Sequence, residues 1–260
     1  MGRHYVEGDL VMSHIVSCLS AVFPEGEDFF VRSVRHYRDQ IDDPELAEQV
    51  AGFIGQEVTH GREHRALNER LQAMGYPTRF VDRRTKYGLA FAHRVLSPQT
   101  QLAITAALEH YTATLAECLL TKPEAQALLG GNEVRSMLLW HALEESEHKT
   151  VAFDVYRAIG GGERRRINTM RVMTVMFLGS SVLNTILSLA LDRASYHPVR
   201  LVRSVANLRH SPFLARDVRQ TLRAYNRVGF HPDDIDSDPL LDRWRTELFG
   251  VDGALTDHLK

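Results

Sequence analysis

Apolar residues recur at steps of three and four along most of the chain, and period-2 runs are scarce, so the pattern predicts helices and few strands. After FPEGED, with Pro24 as a start signal, Phe30, Val34, Tyr37 and Ile41 form the stripe of a first helix, and Glu27 lies on that stripe. A second helix is predicted from IDDPE to about Met74, where Val50, Phe53, Glu57, His60, His64, Leu67 and Leu71 keep the alternation until Gly75, Tyr76 and Pro77 end it. The segment TRFVDRRTKYGLAFAHRVLSP reads as a long irregular crossover with room for a short helix. A third helix follows Ser97 and Pro98 and turns Leu102, Thr105, Glu109, Ala113 and Ala116 inward. A short acidic turn, TKPEAQALLGG, leads to a fourth helix with the stripe Leu138, His141, Glu145, His148, Ala152, Val155 and Ile159, closed by Gly160, Gly161 and Gly162. Four long helices with a crossover in the middle predict an all-α, ferritin-like four-helix bundle over residues 1–162. Residues 163–260 are expected to pack on it as a C-terminal helical extension of the same domain, ending in a loop and a short helix around LLDRWRTEL.

The polar residues on these stripes carry the candidate chemistry. Glu27 comes from the first helix, Glu57 and His60 from the second, Glu109 from the third, and Glu145 and His148 from the fourth. Residues three apart on a helix sit about 5–6 Å from one another on one face, so each Glu-x-x-His pair can turn both heads toward one place. One Glu from each of two helices, with Glu-x-x-His from each of the other two, is the ligand pattern of dimetal carboxylate proteins. Four carboxylates in one interior repel and resist desolvation unless cations compensate them. Oxygen and imidazole donors without thiolate suit two iron ions, with manganese or a mixed manganese and iron pair as alternatives and zinc less suited. His64 lies one turn after His60 and His141 one turn before Glu145, which places both at one end of the site as extra ligands, positioning groups or proton carriers. They are the candidate catalytic residues. Each of these side chains taken alone is more ordinarily a satisfied core residue; the conjunction and its order carry the signal. Tyr37, His110 and Tyr111 are close in sequence and are read as packing groups.

Charge and cysteine content narrow the picture further. The 31 Lys and Arg nearly balance 33 Asp and Glu, which gives no basic field for nucleic acid. Cys18 and Cys118 have no metal spacing and fit a reducing cytoplasm, and the N-terminus lacks the pattern of a signal peptide, so the protein is expected to be cytoplasmic. Residues 172–191 carry no charge and are long enough to cross a bilayer. A polar stripe of Thr174, Ser181, Asn184, Thr185 and Ser188 favours instead a helix buried against the bundle or in a homodimer, with a membrane surface as the less favoured partner.

The stretches FPEGEDFFVRSVRHY, FIGQEVTHGREH, ALEHYTA, WHALEESEHKTVAFDVY and YNRVGFHP together resemble a bacterial family of predicted metal-dependent hydrolases with a ferritin-like core. The resemblance runs from about Phe23 to Pro232 and implies that Glu27, Glu57, His60, Glu109, Glu145 and His148 are the metal positions. On ligand chemistry the expected function is O2-dependent oxidation of a small hydrophobic or acyl-type substrate, for which the 172–191 helix could line a channel. Hydrolysis by a dimetal-activated water is the alternative, and a non-enzymatic metal-binding role a further one.

Overall fold

The computed structural model describes residues 2–130 and 133–256, and every regular element among them is helical. Met1, Gly131 of the acidic turn, Asn132, and residues 257–260 of the C-terminal extension lie outside the described residues. The core is made by α1 (Leu10–Arg35), α2 (Pro44–Ala73), α4 (Pro98–Thr121) and the consecutive pair α6 (Glu133–Glu147) and α7 (Val151–Ala158). α1 packs along α2, α2 meets α6 and α7, these meet α4, and α4 returns to α1, so the four stretches enclose one interior. Their starts follow from local chemistry. The side chains of Asp9, Asp43 and Ser97 accept from the free N–H groups of Met12, Glu45 and Thr100, and Pro44 and Pro98 occupy first-turn positions where a missing donor costs nothing.

Pro24 does not start a helix: α1 begins at Leu10 and runs through it. A proline inside a helix leaves the carbonyl four residues earlier without its donor. Here that carbonyl belongs to Ser20, and Asn68 of α2 supplies the substitute, its Nδ2 donating at 3.0 Å. The expected irregular crossover is an 18-residue helix, α3 (Thr78–Val95), of which only Thr78 and Val81 are buried. Its apolar residues Phe80, Tyr87 and Phe91 point outward, so no inward stripe announced it. The acidic turn contains a short helix, α5 (Pro123–Leu128). The fourth helix is broken between Glu147 and Val151, where Lys149 leaves the helical path and its Nζ donates to Ile235 O at 2.7 Å, Ser237 Oγ at 2.6 Å and Glu117 Oε1 at 3.2 Å.

The uncharged stretch lies in α8 (Glu163–Ala190), antiparallel to α1, with Ser188 beside His14 and its start near the end of α1. Within one chain most of its apolar side is not buried against the bundle, Met170 near its start being the exception. Asn184, Thr185 and Ser188 are the buried side, while Val175, Val182 and Ile186 face out. The reason lies in α1, whose outer surface presents His14 and Ser17 and must be answered by polar groups: His14 Nδ1 meets Ser188 Oγ at 2.6 Å.

Beyond α8 the chain forms α9 (Pro198–Asn207) on the start of α1, α10 (Arg216–Ala224) on α4, and α11 (Asp238–Phe249) on α6. Arg166, fully buried in α8, donates to Arg227 O at 2.7 Å and lies over the Tyr225 ring, tying this part to the core. Trp244 anchors α11 by donating from Nε1 to Leu120 O at 2.9 Å within an apolar cluster. Trp244→Ala should destabilise the fold by about 3–5 kcal/mol, seen as a lower calorimetric Tm.

Candidate metal centre

Each inward stripe delivers its polar group to the same place. Glu27, Glu57, His60, His64, Glu109, His141, Glu145 and His148 are all buried between α1, α2, α4 and the α6–α7 stretch. Among the described residues seven of these eight form overlapping groups spaced to hold an ion, with Glu109 outside them: Glu27 with His64 and His141, His60 with His141 and Glu145, and Glu57 with Glu145 and His148. Glu145 belongs to two of these groups and sits in the middle. Opposite Glu27, a Cβ on Gly61 would stand 3.1 Å from Oε2, so the glycine makes room for the carboxylate.

The hydrogen bonds around the imidazoles have one direction. His148 Nδ1 donates to Gln56 Oε1 at 3.0 Å, an orientation of the amide fixed because Gln56 Nε2 donates to Glu147 Oε2 at 3.3 Å. His148 Nε2 therefore points inward, 3.3 Å from Glu57 Oε1 and 3.4 Å from Glu109 Oε2. His60 Nε2 donates to Glu144 Oε2 at 2.9 Å, leaving Nδ1 3.2 Å from Glu57 Oε1 and 3.7 Å from Glu145 Oε1. At the far end, Asn68 Nδ2 is committed to Ser20 O, so the Ser20 hydroxyl must donate to Asn68 Oδ1 at 2.8 Å. Ser20 Oγ then accepts from His64 Nδ1 at 2.9 Å, His64 Nε2 accepts from His141 Nδ1 at 2.9 Å, and the His141 Nε2 lone pair faces Glu145 Oε1 at 2.8 Å. Two lone pairs that close repel unless a proton or a metal ion lies between them. Three imidazoles thus have an outer N–H tied down and an inner nitrogen aimed at carboxylates, which is how metal-ligating histidines are held.

The carboxylates agree with this. Of eleven buried side-chain atoms without a hydrogen-bond partner among the described residues, seven are here: both oxygens of Glu27 and of Glu109, Glu57 Oε2, Glu145 Oε2 and His148 Nε2. Unsatisfied polar atoms at this depth are costly and rarely cluster without a reason. Burial and the charge of Glu109 push Glu57 up to about 7. Burial, helped by Glu57, raises Glu27 well above the usual carboxylate range, and burial, helped by Glu145, does the same for Glu109. Burial pushes His141 down to about 4 and holds His64 well below the usual imidazole value, so both are neutral. Burial also opposes charge on His60, but its bonds to Glu144 and Glu57 outweigh that and raise it.

Two groups here carried no inward signal in the sequence. Glu144 accepts from His60 and from Trp140 Nε1 at 3.0 Å; the i, i+4 spacing of Trp140 and Glu144 is the one trace of it. Gln56 lies off the second helix's stripe, and its link continues through Glu147 to Arg245 of α11, whose Nε donates at 2.7 Å. His110 and Tyr111 are packing groups as expected: His110 Nε2 donates to Thr221 O at 3.0 Å and the Tyr111 hydroxyl to Thr174 at 2.8 Å. A cavity of about 490 Å³ opens between the start of α1 and α9, lined in part by Asp9, Arg200 and Arg203, and none of the clustered carboxylates reaches it.

An all-helical chain with buried Glu and His groups able to hold metal ions defines a metal-dependent protein. The chain belongs to the family described as predicted metal-dependent hydrolase, whose model matches residues 1–236. No curated protein and no solved structure matches it.

Two outcomes follow for the metal-free protein. A carboxyl or imidazole whose folded pKa is raised stabilises the fold at low pH and loses that contribution as pH rises through the folded value. Glu27, Glu57, Glu109 and His60 act in this sense, whereas the lowered His64 and His141 act oppositely but only below about pH 6.5. The Tm of chelated protein should therefore fall between about pH 6.5 and about pH 8, and metal-loaded protein should not follow it; calorimetry on both forms checks this. Gln56→Leu, which frees the His148 ring, should weaken metal binding by about 10–100-fold in a competition titration against a chromophoric chelator.

Proposed function

We propose that the protein is a dimetal carboxylate enzyme on a ferritin-like four-helix core spanning residues 1–162, with Glu27, Glu57, His60, Glu109, Glu145 and His148 holding two divalent ions. The observation that carries this reading is the cluster of seven unpartnered buried donor atoms. A cation held there would supply the missing partner for these oxygens and would take the place of the protons that the raised carboxyls otherwise hold. His141 adds a further donor from the same end, and His64 is its positioning residue, because the His64 ring takes the outer His141 proton. The Ser20, His64 and His141 chain also supplies a hydrogen-bonded route along which a proton moves to or from Glu145.

The reaction the geometry supports best is O2-dependent oxidation of a small hydrophobic or acyl-type substrate. Its donors are oxygen-rich and free of thiolate, which suits iron or manganese. A redox-active pair of ions held by these residues would supply electrons to dioxygen, and a redox-inert pair would supply Lewis acidity. Phe23, stacked on His64 at 4.5 Å, and Phe53, edge-on to His148 at 4.9 Å, keep water from the histidine edges of the site. Hydrolysis is the second reading, and the family's description favours it.

Metal analysis with an optical spectrum of anaerobically reduced protein exposed to O2 separates the two. Bound iron whose spectrum changes on O2 addition is expected; absent or unreactive iron, with zinc- or manganese-dependent cleavage of a nitrophenyl ester, gives the site to hydrolysis. Glu109→Ala should lose most of the bound metal, and unchanged metal content in that variant would refute the ligand assignment.

A further inference from the structure

The helices outside the core share an unusual face. α8 shows Val175, 72% exposed, with Val182, Ile186 and their neighbours along its outer side. α3 flanks α1 on the same side of the molecule: Val81 of α3 and Ser188 of α8 both border Cys18 of α1. Phe80, Tyr87, Phe91 and Val95 form one outward stripe on α3. After a four-residue 3-10 turn, α9 adds Val199, Val202 and Val205. Soluble proteins rarely expose contiguous apolar patches of this extent without a partner.

Charge says which partner. Residues 78–95 and 163–207, which make α3 and the stretch from α8 through α9, hold 12 of the 31 Lys and Arg but only 3 of the 33 Asp and Glu, a net charge of +9. The remainder holds 19 basic and 30 acidic residues, a net charge of −11. Of the three acids in these segments, Asp192 is buried and paired with Arg3 at 3.3 Å, and Glu163 is paired with Arg166 at 2.7 Å. Arg164 and Arg171 border the apolar side of α8 at its start, and Arg193, Arg200 and Arg203 follow its end, all exposed. Two copies meeting through this face across a twofold axis would set arginine rims against each other with almost no carboxylate to answer them. A spanning role for α8 conflicts with its polar side, since Asn184, Thr185 and Ser188 are packed on α1 along a helix fixed to the core.

We propose that the α3, α8 and α9 face docks on an anionic lipid surface, its apolar side chains entering the interfacial layer and its arginines meeting the headgroups. The acidic remainder of the molecule then faces away from the bilayer. The docking is independent of the metal chemistry and stands or falls separately.

The test is flotation of the full-length, metal-loaded protein with vesicles of phosphatidylcholine and phosphatidylglycerol, and with vesicles of phosphatidylcholine alone, with sedimentation velocity of the free protein alongside. The protein should float with the anionic vesicles, far less with the neutral ones, and be released by high salt. Val175→Asp combined with Ile186→Asp should weaken flotation by about tenfold or more, with metal content and Tm unchanged because both positions are exposed. Flotation with neither vesicle overturns the proposal, as does a double variant that floats like the parent. Equal binding to neutral vesicles overturns the assignment to an anionic surface. A dimer that never floats, and that the double variant splits, overturns it too and gives the face to a second copy.

Discussion

Glu27, Glu57, Glu109 and Glu145 lie within one interior, and like charges that close, out of water, oppose folding unless something positive stands among them. Much of the surrounding structure answers that constraint. The histidines turn their inner nitrogens to the carboxylates because their outer N–H groups are held by Gln56, Glu144 and His64. Gly61 stands where any side chain would crowd Glu27. Pro24 is tolerated in α1 because Asn68 satisfies the carbonyl it frees, and the same Asn68 fixes the Ser20 proton that sets the direction of the His64 and His141 chain. A helix irregularity and the orientation of a site group thus share one amide.

The polar demand of α1 extends outward. Because α1 presents His14 and Ser17 toward α8, the later part of α8 turns Asn184, Thr185 and Ser188 inward and leaves Val182 and Ile186 outside, while Met170 nearer its start packs in the core. An inverted amphipathic helix is costly on a free surface, and its position on the molecule's basic side gives the inversion a use.

The core helices were legible because their stripes are long and regular: α2 begins and ends within a residue or two of its predicted bounds, and all seven of its stripe residues are buried. The same phase put every candidate site residue in the interior. Elements were misread where the physics was not periodic in the ordinary sense. Pro24 reads as punctuation although a tertiary hydrogen bond permits it inside a helix, and α3 leaves no inward stripe because its apolar residues face outward. The break after Glu147 depends on Lys149 reaching Ser237 and Ile235, contacts between segments far apart in sequence. Glu144 and Gln56 were invisible for a similar reason, since a residue that touches a ligand's back from the side of a helix leaves no stripe.

The link from His148 through Gln56 and Glu147 to Arg245 ends on α11, beyond the residues that the family model matches. Arg245 is also the last of these groups in order of synthesis. The ring of His148 consequently receives its final restraint from a helix that leaves the ribosome after every other part of the centre, which makes maturation of that half of the site a late event in the life of the chain.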